Sequence, residues 1–147
     1  MNPQMQSKLA LVLTGVLTLS ACVMFNRIHE MMALVSGNDV AFTLPEADFA
    51  DKDARYLLSL IDVVTRDDCT KECVVWEMVR PLGGNVDLIE ENFVKFPIQY
   101  GATLPNMQTR ILKPLRKGKY RASAQLAVVR DGKIVDSKQV GVVFSIE

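Results

Sequence analysis

The C-terminal part of the chain carries the pattern that most constrains its fold, an alternation of apolar and polar side chains on both sides of a tight turn. From Tyr120 to Val128 every second residue is apolar, and the alternation returns from Val140 to Ile146. Between these runs, Asp131-Gly132 is a dipeptide typical of β-hairpin turns, because both central positions need a positive φ. A period of two buries one face of each strand. The pattern therefore predicts a long hairpin with one buried face.

Shorter β-like runs precede this hairpin, and proline, glycine and other turn residues separate them. They are Val40–Leu44, Arg55–Arg66, Cys73–Arg80, Phe93–Tyr100 and Met107–Leu112. The apolar spacing of Arg55–Arg66 also fits a helix face, but a strand is favoured because it would form a hairpin with the run that follows the cysteine loop. About seven strands with turns at regular spacing predict a small all-β sandwich.

The segment Leu115–Tyr120, with Gly118 before the tyrosine, resembles the tyrosine corner of immunoglobulin-like and fibronectin-type sandwiches. The resemblance implies that the Tyr120 hydroxyl bonds to the backbone just upstream, and that Trp76 is the core tryptophan. No cysteine lies two residues after Tyr120, and Cys69 and Cys73 are too close in sequence for a bridge between sheets. We therefore expect an immunoglobulin-like sandwich that is not of the antibody type, with a transthyretin-like sandwich as the alternative.

The amino terminus has the layout of an export signal. Met1–Lys8 is short and polar, and Leu9–Leu19 is an apolar stretch of 11 residues, whereas a bilayer span needs about 20. The stretch ends in Leu19-Ser20-Ala21-Cys22, which resembles the lipobox of bacterial lipoproteins. The resemblance implies cleavage before Cys22, diacylglycerol on its sulfur and a fatty acyl chain such as palmitate on the new amino terminus. By the same analogy, Val23 implies sorting to the outer membrane, facing the periplasm.

Three segments follow from these patterns: a signal peptide at 1–21, an anchor with a short helical tether at 22–38, and the sandwich at 39–147. In the tether, apolar residues of Val23–Val35 recur at spacings of three and four. This spacing predicts a short amphipathic helix, which either packs on the domain or lies on the membrane. Ser36–Asp39 is predicted to be a turn.

Two other interpretations of the leader are weighed against the lipobox. The apolar stretch extends over 17 residues when it is counted from Leu9 to Phe25, at the lower edge of a spanning helix, so an uncleaved signal anchor is one alternative. An ordinary signal peptide is the other, although Leu19 occupies a position where a small residue is preferred.

If Cys22 carries lipid, Cys69 and Cys73 remain, and an even pair in an oxidising compartment predicts a disulfide. A structural staple is favoured over a redox pair, because redox pairs prefer two intervening residues and three separate these cysteines. A structural zinc site needs four ligands, and His29 is the single histidine of the chain. We therefore expect no metal site.

Charge is distributed unevenly, since 14 of the 17 acidic residues precede Phe93 and ten of the 17 basic residues follow Asn92. The formal net charge of zero gives no argument for a nucleic-acid partner. The densest basic run comprises Arg110, Lys113, Arg116, Lys117, Lys119 and Arg121. It is interpreted either as a solvated hairpin that pairs with the acidic half or as a patch for an anionic partner such as lipid head groups or an envelope protein.

Residue types that carry chemistry are sparse. A serine or cysteine nucleophile usually needs a base, and His29 lies seven residues after the anchor cysteine. Gly83-Gly84 lacks the spacing of a phosphate-binding loop. We therefore expect no catalytic residue, no cofactor and no enzymatic activity.

The expected function is a binding or structural module, anchored to the membrane through lipid on Cys22, with an envelope protein as its partner. Such a module would be accessory to an envelope or secretion assembly. The alternative is an inhibitor or immunity-type protein that neutralises a periplasmic enzyme through an exposed loop such as Leu82–Asn92.

Overall fold

A computed structural model describes residues 29–67, 69–70, 73–81 and 86–147. In this part of the chain, nine strands and two short 3-10 helices are present. The strands are β1 (His29–Glu30), β2 (Met32–Ser36), β3 (Asp39–Thr43), β4 (Arg55–Thr65), β5 (Val74–Val79), β6 (Ile98–Gln99), β7 (Gln108–Leu112), β8 (Gly118–Arg130) and β9 (Lys133–Ile146). The 3-10 helices are Glu46–Phe49 and Glu90–Asn92. The all-β prediction is confirmed.

The strands form two sheets with buried apolar faces between them. The larger sheet has the order β1-β9-β8-β4-β5-β7, and all of its pairs are antiparallel except the short parallel pair β1-β9. The smaller sheet has the antiparallel order β2-β3-β6. Because an apolar sheet face is stable only when another layer covers it, the two sheets form a sandwich-like domain.

The long C-terminal hairpin of β8 and β9 matches its sequence pattern. Asp131 and Gly132 both adopt positive φ, 49° and 68°, as a tight hairpin turn requires. Tyr120, Ala122, Ala124, Leu126 and Val128 are all buried, while Arg121 and Gln125 between them are exposed. The alternation therefore places the core face of β8 as predicted.

The segment that fitted both a helix and a strand is a strand. β4 pairs with β5 on one side and with β8 on the other. It therefore lies inside the sheet, and the hairpin with β5 across the cysteine loop is confirmed.

The helix predicted for Val23–Val35 is wrong in its described part, and residues 23–28 lie outside the described residues. β1 pairs with β9 in the larger sheet, and β2 pairs with β3 in the smaller one. Met31 lies between them, buried, and its N–H donates to the Gly141 carbonyl at 3.1 Å. The predicted turn at Ser36–Asp39 joins β2 to β3. Residues 29–30 and 32–36 are therefore strand residues, because backbone pairing to distant strands outweighs a local spacing of three and four.

The strand predicted for Phe93–Tyr100 is reduced to the two residues of β6. Pro97 follows Phe96 through a cis peptide bond and has no N–H to donate to a ladder. Phe93 makes only an isolated bridge to Leu57. The segment therefore crosses from one sheet to the other as a mostly irregular chain.

A row of aromatic rings runs through the core between the sheets. Trp76 stands 6.3 Å from Phe42 and 5.1 Å from Tyr100, measured between ring centroids. Phe144 continues the row, 5.6 Å from Phe42 and 5.4 Å from Tyr120. Trp76 and Phe42 are fully buried. The prediction that Trp76 is a core residue is confirmed.

Tyr120 makes the backbone contact that the tyrosine corner implies. Its hydroxyl donates to the Arg116 carbonyl at 2.7 Å and accepts from the Arg116 N–H at 3.0 Å. The ring is 5% exposed. One side chain thus closes the loop that enters β8.

Replacing Tyr120 with phenylalanine is expected to lower the free energy of unfolding by about 1–2 kcal/mol, because two buried backbone groups lose their partner. Urea unfolding of the wild type and the Y120F variant measures this change. An unchanged midpoint would show that the hydroxyl contributes nothing to stability.

Candidate binding surfaces

The outer face of the three-stranded sheet is an unusual surface for contact with water. Strand register places Met32 opposite Thr43 and Leu34 opposite Ala41, and paired residues share a face. Met32 and Leu34 are 47% and 49% exposed. The outward positions are Met32, Leu34, Ser36, Asp39, Ala41, Thr43 and Gln99, of which only Asp39 carries a charge. We call this surface the β2 face.

Strand β2 is also an edge of its sheet. It pairs with β3 on one side, and among the described residues no strand of that sheet pairs with its other side. Val35, near the end of the same strand, is 43% exposed. An exposed apolar edge strand is a template for pairing with another chain unless a charge, a proline or a bulge protects it, and β2 has the sequence Met-Ala-Leu-Val-Ser.

The outer face of the larger sheet differs in carrying fixed charges. Asp62 lies directly opposite Glu77 in the β4-β5 pair, and like charges in that position repel. The Ser123 hydroxyl donates to Asp62, and Arg110 approaches Glu77 with an N–O distance of 3.7 Å. These contacts compensate the two carboxylates, which is the arrangement expected of a solvated face.

The turn of the β8-β9 hairpin and the 3-10 helix Glu46–Phe49 lie at one end of the sandwich, here called the hairpin end. Two ion pairs join the neighbouring segments: Lys138 Nζ lies 3.0 Å from an Asp48 oxygen, and Arg130 pairs with Asp51. The Tyr56 hydroxyl donates to the Asp48 carbonyl at 2.7 Å. Three large apolar side chains are nevertheless exposed at this end, namely Phe49 at 42%, Ile134 at 57% and Val135 at 52%.

The opposite end, here called the far end, carries the cysteine loop and part of the basic run. Cys69 and Cys73 are joined by a disulfide, with their Cα atoms 5.5 Å apart. Close by, a carboxylate oxygen of Asp67 accepts from the Lys119 N–H at 3.1 Å. Within the basic run, the Arg110 side chain lies 3.7 Å from a Glu77 carboxylate oxygen, whereas the contact of Lys119 with Asp67 is made by its backbone N–H.

The described part of the Leu82–Asn92 loop is tied down by buried polar contacts. Arg80 donates to the Leu58 carbonyl at 3.0 Å and to the Asn92 carbonyl at 3.3 Å. Burial lowers the pKa of the Arg80 guanidinium below its ordinary value. Asn92 donates to the Asp87 carbonyl at 2.7 Å. Between Arg80 and Asn92, the Val86 and Ile89 side chains are 38% and 46% exposed.

Tyr100 fastens two segments that flank the core. Its hydroxyl lies 3.1 Å from the Val75 carbonyl and 2.7 Å from the Lys113 carbonyl. Burial, with a smaller contribution from Tyr120, raises the pKa of Tyr100 to about 12 from an ordinary value of 10.0. The protonated hydroxyl is therefore the form that the folded protein stabilises.

This shift predicts a loss of stability in alkali. Because the folded pKa of Tyr100 lies above the unfolded value, its contribution is complete below pH 10 and is lost as the pH rises toward 12. The Tyr100→Phe variant is expected to be less stable than wild type at pH 8 and to lose less stability between pH 9 and pH 11. Urea unfolding of wild type and Y100F at several pH values measures both slopes. Equal slopes for wild type and Y100F would contradict the assignment.

The predicted anchor residue, Cys22, lies outside the described residues, as do the whole leader and Gly83-Gly84. His29 begins β1. Among the described residues, no group of three or more His, Cys, Asp and Glu side chains is placed to hold a metal ion. In the same part of the chain, no helix has the length and hydropathy to cross a bilayer.

The sequence reasoning did not identify the β2 face, because it assigned those residues to a helix. The signal was available in the five consecutive apolar residues Met31–Val35, which precede a turn and suit a strand. No known family model, curated protein or solved structure matches the chain.

Proposed function

We propose that this chain is a lipoprotein of the bacterial cell envelope, held in the outer membrane by lipid on Cys22, and that its sandwich binds an envelope protein through the β2 edge and face. The observation that carries the proposal is an edge strand that exposes Met32 and Leu34 on a sheet face almost free of charge, with Val35 also exposed near the end of the strand. Water-exposed edges of this kind favour strand addition by a partner, which supplies backbone hydrogen bonds and apolar contacts.

The sheet order supports the immunoglobulin-like assignment of the domain. β9, β8, β4 and β5 follow one another in the larger sheet, as strands G, F, C and C′ do in variable-type domains. The smaller sheet then contains the strands equivalent to A, B and E. The tyrosine corner at the start of β8 occupies the position that such domains give it, at the start of strand F.

A partner strand at β2 would meet two kinds of group. The outward backbone N–H and C=O groups of β2 would form a ladder, and Met32 and Leu34 would pack against apolar side chains. A lysine at position 34 would place a charge in the centre of this contact, and a charge without a partner in an interface costs about 2 kcal/mol or more, which corresponds to about a 30-fold loss of affinity.

The experiment places a photo-crosslinking residue at Leu34 in the full-length chain, in cells that process lipoproteins. We expect a reproducible adduct with one envelope protein when the crosslinker is at Leu34, and also when it is at Met32. The Met32 adduct is expected to be lost when Leu34 is also replaced by lysine. Two matched controls use Gln125, which is exposed on the outer face of the larger sheet. In the first, Gln125 carries the crosslinker; in the second, Met32 carries the crosslinker and Gln125 is replaced by lysine. Equal adducts from Leu34 and Gln125, or none from Leu34, would overturn the proposal.

The exposed Val86 and Ile89 on an anchored loop favour the inhibitor as the second candidate. In that case a crosslinker at Ile89, rather than at Leu34, would capture a single hydrolase or toxin. A third labelled position therefore separates the two functions in one experiment.

A further inference from the structure

We infer that the hairpin end of the sandwich contacts the lipid bilayer through Ile134 and Val135; this inference rests on the proposed lipid anchor at Cys22. Three observations carry it: the direction in which the chain enters the domain, the length of chain between the anchor and β1, and two exposed apolar side chains next to the hairpin turn.

The direction of entry comes from the parallel pairing of β1 with β9. His29 lies opposite Val140, and Glu30 lies opposite Gly141. Because the two strands run parallel, the amino end of β1 faces Lys133 and the turn, and β1 runs toward the far end. The chain therefore enters the domain from the side of the hairpin end, whereas the disulfide and Lys117 are at the far end.

The length of chain then limits how far the domain can stand above the bilayer. Six residues lie between Cys22 and His29, so seven Cα-to-Cα steps join them, and seven steps of fully extended chain span at most about 25 Å. Seven residue steps of β9 also lead from Val140 back to Lys133. At the rise of an antiparallel strand, this distance is about 23 Å. The part of β9 between Val140 and the turn is thus about as long as the extended chain between Cys22 and His29. If the strands stand perpendicular to the membrane, the hairpin turn therefore reaches the lipid surface.

The side chains at this end suit a bilayer interface. Ile134 and Val135 are 57% and 52% exposed, whereas Asp136, Ser137 and Gln139 that follow on β9 are polar. A register shift between Val128 and Val129 leaves Val135 without a partner on β8, so it is the extra residue of a β-bulge, which bends the strand. The cations of Arg130 and Lys138 are already paired with Asp51 and Asp48. Asp131 and Lys133, in the turn itself, are exposed and charged. The expected contact is therefore with the head-group region, where charges stay hydrated while apolar side chains lie against the acyl boundary.

The test uses the full lipidated chain with one introduced cysteine, labelled with an environment-sensitive fluorophore. The other three cysteines are occupied by lipid or by the disulfide, so the new thiol is the single site of labelling. The label is placed at Val135, at Lys133 as a second position near the turn, or at Lys117 as the far-end control. The protein is inserted into vesicles of phosphatidylethanolamine and phosphatidylglycerol that contain a nitroxide-labelled lipid quencher.

We expect lipid quenching and a blue shift at Val135 and Lys133, and neither at Lys117. Quenching at Lys117 that equals or exceeds the quenching at Val135 would overturn the inference, and so would the absence of quenching at all three positions. Mass spectrometry of each preparation separates this outcome from a failure of the proposed function. An acylated Cys22 with an unquenched Val135 label refutes the membrane contact alone, whereas an unmodified Cys22 refutes both.

Discussion

The Gly118→Ala variant is expected to lose about 2 kcal/mol of its free energy of unfolding, because the backbone conformation resists a side chain and the new methyl group has to displace the Asp67 carboxylate. Gly118 has a φ of 149°. A Cβ at this position would overlap the Asp67 carboxylate. That carboxylate also accepts from the Lys119 N–H, and Gly118 is paired with Ile146 in the sheet. Neither group can move without losing a bond.

Two comparisons isolate the cause of this effect, with urea unfolding as the measurement. Gly37 also has a positive φ, 60°, but no atom lies within 4 Å of a Cβ built there. Gly37→Ala should therefore cost only the backbone term, about 1 kcal/mol. Asp67→Ala removes the obstacle, so the double variant G118A/D67A should lose less than the two single variants together. Additive losses would show that the clash with Asp67 is not the cause.

The second large effect concerns Trp76, and it should depend strongly on the replacement. The Trp76→Ala variant is expected to lose about 4 kcal/mol, since it removes the central ring of the aromatic row and leaves a cavity. The Trp76→Phe variant is expected to lose only about 1 kcal/mol, because the smaller cavity is partly offset by the removal of a buried donor. Among the described residues, the Trp76 Nε1–H has no hydrogen-bond acceptor.

Because Trp76 is the single tryptophan of the chain, unfolding of these variants has to be followed by far-ultraviolet circular dichroism rather than by fluorescence. If W76F is as unstable as W76A, the indole N–H is not a destabilising group and the packing of the ring decides the effect. A stable W76A variant would contradict the placement of Trp76 in the core.

Much of the fold could be predicted because period-two patterns and turn chemistry are local. Asp131-Gly132 and the alternation in β8 each report on the conformation of their own neighbourhood, and both predictions hold. Gly118 and Tyr120 are also close in sequence, so the tyrosine corner was recognisable. The disulfide between Cys69 and Cys73 needed only a count of cysteines and an assumed compartment.

The misassigned regions are those in which distant contacts decide the structure. His29 and Glu30 are strand residues because β9, more than a hundred residues later, accepts them as a parallel neighbour. Apolar residues occur on both faces of β2, and this removes the alternation that would have indicated a strand. The same loss of pattern concealed the β2 face, so the candidate site became visible only when the register was known.

The most direct test of the central claim is the mass of the mature N-terminal peptide, measured on protein recovered from the membrane fraction. The account predicts a peptide that begins at Cys22 and carries a diacylglycerol on its sulfur and a fatty acyl chain on its amino group. A Cys22→Ser variant should remain unprocessed. A peptide that begins at Met1, or an unmodified Cys22 in membrane-bound protein, would contradict the account.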